Sequence, residues 1–261
     1  MNILAIGDIV GRPGRFVVAD NLNRLKQEYN ISAVIANGEN SAHGSGITQK
    51  VADELFNLGI NVLTMGNHTW AKKEIVDILA KENRIVRPAN YPAGTPGKGS
   101  TIFSVNGVRI GVINLMGRVN MEPLESPFIV GDNEIDKLRK ETDLIMVDFH
   151  AETTSEKIAL GWYFDGRATA VWGTHTHVQT ADNRVLDKGT GYMTDLGMTG
   201  CVDSVLGVKK EIIIDKFVKQ LPNKFEFAEK GQIQLNGAVF DIDENNGKCR
   251  KVNRISLSIY E

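Results

Sequence analysis

Cysteine is scarce in this sequence. Only Cys201 and Cys249 occur among 261 residues, too far apart for a CxxC pair and too few for a zinc cluster. The chain does not read as a disulfide scaffold, and a reducing cytoplasm is the expected setting. Long apolar runs are also missing: no segment approaches the roughly 18 uninterrupted apolar residues of a membrane-spanning helix. The opening Met-Asn-Ile-Leu-Ala-Ile-Gly-Asp has no basic n-region, and its apolar run is too short for a signal peptide. Positive charge is not in excess. Lys and Arg total 30 against 32 Asp and Glu, a formal net charge of -2. That balance argues against a protein held on nucleic acid by a broad basic face, but allows a small phosphorylated ligand held by local charge or metal. Histidine is rare as well, with five in the chain, so the places where it falls are informative.

The apolar content that is present, 42% against 24% charged, suits a soluble globular protein with a sizeable core. Its pattern predicts a strand at Asn2 to Ile6, a helix over Arg15 to Gln27, a strand at Ala33 to Ala36 and a helix from Gln49 to Leu58. That second helix has Thr48 as N-cap and Gly59 as its stop. A strand at Val62 to Met65 and a helix over Lys72 to Lys81 complete a βαβαβα rhythm, which implies a mostly parallel sheet covered by helices. Ser100 to Val105 and Val108 to Asn114 read as a hairpin turning at Asn106-Gly107. Further on come a helix at Glu134 to Lys140, a strand at Leu144 to Phe149, a helix at Glu156 to Trp162 and a strand at Ala168 to Trp172. A last helix is expected over Val205 to Gln220. The tail alternates apolar and polar residues around Asn246-Gly247 and reads as antiparallel sheet. No repeat or low-complexity linker divides the chain, so residues 1–261 are expected to form a single domain.

Unusual polar residues follow the carboxyl ends of the apolar runs: Gly7-Asp8, Asn37-Gly38-Glu39-Asn40, Gly66-Asn67-His68, Asp148-Phe149-His150 and Gly173-Thr174-His175-Thr176-His177. Ligands of open α/β sheets sit in the crevice beyond those ends. Carboxylate, amide oxygen and imidazole together make a mixed O/N ligand set that suits Mn, Fe or Zn rather than Ca or a thiolate cluster. Asp8, Glu39, Asn40, Asn67, His150, His175 and His177 are more than one tetrahedral ion needs, so two ions sharing a bridging carboxylate are expected. His175 and His177 are two apart and point the same way on an extended backbone, each serving one metal if the backbone turns slightly there.

Each residue alone has a plainer reading. Asp8 could cap a helix, Glu39 could be a solvated loop carboxylate, Asn40 and Asn67 could be turn residues, and His150 a satisfied histidine. Four of the five histidines at strand ends favour the metal. His43 reads as a mobile loop residue, with substrate contact as the alternative. Arg12 and Arg15 either meet phosphate or are solvated, Arg15 more readily the latter. Trp70, Trp162 and Trp172 read as packing rather than base-stacking platforms. Gly7, Gly11 and Gly14 are spaced GxxxGxxG, which is not the dinucleotide fingerprint.

Taken together, the five motifs resemble the calcineurin-like metallophosphoesterase superfamily, most closely its YmdB-type branch of 2′,3′-cyclic nucleotide phosphodiesterases. The resemblance implies a four-layer α/β/β/α sandwich and two divalent transition-metal ions, iron or manganese. Glu39 would bridge them. Asp8, Asn40 and His177 would hold one ion, and Asn67, His150 and His175 the other. His68 would be the general acid. Val10 stands where the superfamily's first motif has histidine, and Glu39 where it has a bridging aspartate; both departures agree with the branch.

The expected reaction is hydrolysis of a small phosphodiester, a cyclic nucleotide or alternatively RNA, by a metal-activated hydroxide, with His68 protonating the leaving oxygen. Rival readings are a phosphomonoesterase, phosphoprotein phosphatase or nuclease on the same site, a regulatory metal-binding protein, and a metal-free interaction module. No membrane partner is expected. The antiparallel tail is a candidate surface for a homo-oligomer, though nothing in it demands one.

Overall fold

Strand β1 (Asn2–Ile6) divides its side chains between two cores. Leu4 and Ile6 enter one and Ile3 and Ala5 the other, because successive residues of a strand face opposite ways. A computed structural model describes residues 1–260. The remaining strands of the amino-terminal part are β2 (Asp8–Ile9), β3 (Ile31–Asn37), β4 (Val62–Thr64), β5 (Ile85–Val86), β6 (Ser100–Val105) and β7 (Val108–Met116). There follow β8 (Leu144–His150), β9 (Ala170–Thr174), β10 (Arg184–Val185), β11 (Gly191–Met193), β12 (Met198–Cys201), β13 (Gln232–Ile242) and β14 (Cys249–Tyr260). The helices are α1 (Gly11–Glu28), α2 (Gln49–Asn57), α3 (Ile75–Lys81), α4 (Pro127–Leu138), α5 (Thr154–Tyr163) and α6 (Lys210–Lys219).

Two sheets result. The first runs β2-β12-β13-β1-β3-β4-β5, with β14 paired to β13, and the second runs β10-β11-β9-β8-β7-β6. β1, β3 and β4 are mutually parallel, as are β7, β8 and β9. Three apolar clusters separate the layers. Val17, Leu22, Val51 and Leu55 of α1 and α2 meet one face of the first sheet. Ile3, Ala33 and Ile35 meet Val112, Met146 and Trp172 between the sheets. Ile135 and Leu160 of α4 and α5 cover Ile113, Ile145 and Val171 on the far face of the second. Helices, sheet, sheet and helices form the four-layer α/β/β/α sandwich.

Thr48 caps α2 through its side chain, accepting from the Val51 amide, and Asn106-Gly107 turns the β6–β7 hairpin with both residues left-handed, as expected. Other boundaries differ. α1 begins at Gly11 instead of Arg15, and α4 at Pro127 instead of Glu134, with proline in the first turn where its missing N–H costs nothing. A 3-10 turn at Thr69–Ala71 precedes α3, which starts only at Ile75. α6 starts at Lys210 because Val205 and Val208 pair across a turn holding Leu206 and Gly207 left-handed. The antiparallel tail builds no sheet of its own: β13 docks beside β1 within the first sheet.

Candidate metal centre

Parallel strands that share a direction deliver their carboxyl ends to one side. Asp8 follows β1, Glu39 and Asn40 follow β3, and Asn67 and His68 follow β4. His150 ends β8, and His175 and His177 lie just past β9. The structure brings all eight together. Around His150 Nε2 stand Asn67 Oδ1 at 2.9 Å, His175 Nδ1 at 3.0 Å and Glu39 Oε1 at 3.0 Å. An imidazole nitrogen has one N–H or one lone pair, so it cannot satisfy three such neighbours, whereas a cation among them would. Glu39, His150 and His175 each offer a ligand atom within 4.8 Å of the others. Beside them, His177 Nε2 lies 3.9 Å from Asp8 Oδ1.

The outward nitrogen of each histidine is anchored. His150 Nδ1 lies 2.9 Å from the Thr174 hydroxyl, which itself donates to Asp148 Oδ1 at 2.8 Å. The Thr174 proton is thereby committed, so Nδ1–H is the donor to Thr174. His177 Nδ1 donates to the Leu206 carbonyl at 2.9 Å, and His175 Nε2 pairs with Glu152 at 3.1 Å. In the neutral rings all three remaining lone pairs therefore point inward, the outer-shell pattern that orients metal-binding histidines. Asn40 completes the fit. Its Nδ2 donates to the Gly44 carbonyl at 2.9 Å and lies 3.1 Å from His68 Nδ1, while its buried Oδ1 has no hydrogen-bond partner. Such an acceptor is costly unless something binds it. The donor set of carboxylate, amide and imidazole suits a divalent transition ion.

Electrostatics follow from this crowding. Burial alone would lower the His150 pKa, but Glu39, Asp8 and Asp148 outweigh it and raise the value to about 9. Burial likewise opposes ionisation of Glu39, yet His150 and His68 hold it well below the usual carboxylate range. Burial raises Asp8 more than His177 and His150 lower it. His175 is pushed down to about 3 by burial and then by the charge on His150. Burial also raises Asp148 to about 7, against the hydrogen bonds from Thr64 and Thr174.

His175 and His177 do not share a strand face. Both lie beyond β9 with left-handed backbones, φ 98° and 64°, so one ring turns to His150 and the other to Asp8. Such strained conformations persist where the surroundings hold them. Here Asp195 accepts from the Thr176 amide and hydroxyl between the two histidines and is paired with Lys157. Gly66 is required for close approach: a β-carbon there would lie 2.3 Å from His150 Cδ2 and 2.4 Å from Glu39 Oε2. Sequence reasoning missed Thr174, Lys157 and Asp195 and gave Asp148 no role. Only Asp148 left a signal, standing two residues before His150 on the same strand face. His43 is exposed, on a left-handed backbone, in the loop after Asn40.

Two stacked sheets flanked by helices, with acids, amides and histidines gathered at the strand ends, define an enzyme of the metallophosphoesterase class. The chain belongs to the YmdB-like protein family, whose family model matches residues 4–255. A Bacillus subtilis (strain 168) protein named 2′,3′-cyclic-nucleotide 2′-phosphodiesterase is 53% identical over 258 residues, spanning 99% of this chain and 97% of its own. A crystal structure described as a novel phosphatase from Mycoplasma pneumoniae superposes with TM-score 0.93 at 38% identity, covering 99% of this chain and 93% of its own. A crystal structure of a hypothetical protein from Thermus thermophilus gives TM-score 0.92 at 38% identity, with 99% of both chains covered. Among the described residues no helix is long and apolar enough to cross a membrane.

Proposed function

We propose that this chain is a metal-dependent phosphodiesterase that hydrolyses 2′,3′-cyclic nucleotides. The observation that carries the reading is the inward turn of three imidazole lone pairs, each with its outer nitrogen anchored, onto Glu39 and Asn67 on one side and Asp8 on the other. The Bacillus relative supports the substrate class. Asp8, Asn40 and His177 would hold one divalent ion, and Asn67, His150 and His175 a second, with Glu39 between them. Iron or manganese suits this donor set. When bound, the ions supply Lewis acidity, lowering the pKa of a coordinated water and neutralising phosphoryl charge.

The chain's own residues do the rest. The Glu39 carboxylate accepts from the His68 amide at 2.9 Å and fixes that backbone beside the pocket. When His68 Nδ1 accepts from Asn40 Nδ2 at 3.1 Å, rather than donating to Glu39 Oε1 at 3.4 Å, the neutral ring carries its proton on Nε2. The ring remains 42% exposed, open to a leaving ribose oxygen that needs that proton. A small cyclic phosphodiester fits the near-neutral chain better than a long RNA. The β13–β14 hairpin shares a sheet with β1, which supports reading the chain as one domain.

The test is an assay of purified, manganese- or iron-loaded protein on 2′,3′-cyclic AMP beside a phosphomonoester, with metal content measured on the same samples. Cyclic-nucleotide turnover that disappears with the metal in Asp8→Ala and His177→Ala is the expected result. Metal-loaded protein inert toward every phosphodiester would overturn the reading.

A further inference from the structure

A cleft of about 860 Å³ is lined by none of the proposed ligands but by close chain neighbours of two of them. Val10 and Gly11, which follow Asp8 and Ile9, line it, as does His43 in the loop after Asn40. Asn40 joins the lining to the proposed ligands. Its carbonyl accepts from the Gly11 amide at 2.9 Å, its Nδ2 donates to the Gly44 carbonyl at 2.9 Å, and the same Nδ2 lies 3.1 Å from His68 Nδ1. Gly11 of the cleft wall is thus linked through Asn40, itself outside the lining, to the proposed acid. The volume falls in the range of about 300–1,000 Å³ typical of small-molecule sites.

The lining indicates what would fit. Phe227 lies in the cleft wall with a ring face against Gly44: a β-carbon at 44 would stand 2.4 Å from three ring atoms. Gly44 has φ +82°, so glycine meets both the contact and the conformation. Arg12, Lys210 and Lys230 also line the cleft, and their side chains make no hydrogen bond or ion pair among the described residues. The five Lys and Arg side chains of the lining face four Asp and Glu, so the cleft is nearly neutral. A groove for a polynucleotide backbone needs a marked cationic excess. An aromatic ring and a guanidinium with adjacent donors and acceptors suit a single uncharged heteroaromatic base.

We propose that this cleft is the nucleoside subsite, taking the base of a mononucleotide phosphodiester against Phe227 and Arg12; the assignment rests on the phosphodiesterase reading above. The negative charge of the substrate then stays at the metal pocket while the base occupies the neutral cleft.

The test is the ratio of kcat/KM for 2′,3′-cyclic AMP to that for base-free ribose 2′,3′-cyclic phosphate, in manganese-loaded wild type, Phe227→Ala and Arg12→Gln. Adenosine binding to the same proteins is measured by calorimetry. Losing a base stack lowers the preference for cyclic AMP by about 10- to 100-fold and weakens adenosine binding in parallel. An unchanged ratio overturns the proposal, because Phe227 then only braces Gly44. Tighter binding of an RNA oligomer than of adenosine, abolished in the same variants, overturns it in favour of a strand-binding groove. If wild type cleaves neither phosphodiester, the phosphodiesterase reading fails; adenosine binding lost in Phe227→Ala would still support the subsite, and absence of adenosine binding to wild type would refute it.

Discussion

Lys157 Nζ lies 2.5 Å from Asp195 Oδ2, and both side chains are 1% exposed. The same carboxylate oxygen accepts from the Thr176 hydroxyl at 2.8 Å, and Oδ1 accepts from the Gly197 amide at 2.7 Å. An ion pair between α5 and the segment after β11 thereby grips the peptide between two proposed ligands. Removing one partner of such a pair leaves a buried charge alone, at about 3–5 kcal/mol. Lys157→Met keeps a stem against Gly173 and should lose about that much in equilibrium denaturation. Adding Asp195→Leu should recover part of the loss. A single-variant cost under about 1 kcal/mol would contradict this role.

Gly66→Ala should fold yet fail to hold metal. The added methyl would occupy the space of His150 Cδ2 and Glu39 Oε2, and these atoms cannot withdraw without leaving the cluster. Elemental analysis beside circular dichroism checks it: native-like spectra with full metal content would refute the prediction.

His68→Ala should keep its metal and lose about 10²- to 10⁴-fold in turnover. The ring sits beside Glu39 and Asn40 but is not among the groups converging on His150. An empty variant would instead make His68 a ligand.

Metal-free protein should weaken as pH rises from about 6.5 to 9. His150 is raised in the folded state to about 9 from an ordinary 6.5, so its contribution is complete below 6.5 and is lost through 9. Glu39, held low, stays ionised across that window, and His175, at about 3, stays neutral, so neither reverses the trend. Thermal melts after chelation should show Tm falling across this window, by about 2–4 °C for each kcal/mol. Added manganese should reverse the fall, since it takes the lone pair that the departing proton exposes. A flat or rising Tm would refute the sign.

The apolar runs made β1, β3 and β8 readable because each is buried on both faces and leaves a continuous pattern. β10 and β11 were not readable: at two and three residues they carry no periodicity and exist only through their neighbours. α4 carries its start signal, Ser126 followed by Pro127, well ahead of the expected boundary at Glu134. The proposed ligands stood out as polar residues at strand ends. Their supports did not: Lys157 lies on a helix where a lysine ordinarily reads as solvated, and Asp195 becomes its partner only through a separation of 38 residues.

β13 pairs with β1 on one side and β14 on the other, while β12 holds Asp8 in place through β2. β1 therefore leaves the ribosome well before β13, the strand it must wait for. At about 5–20 residues per second, synthesis leaves the edge of β1 bare for many seconds. Until residue 242 has emerged the first sheet lacks a central member. A nascent chain is thus exposed to strand-grabbing neighbours, and a ribosome stalled before β13 would release a fragment whose first sheet lacks the strand between β12 and β1.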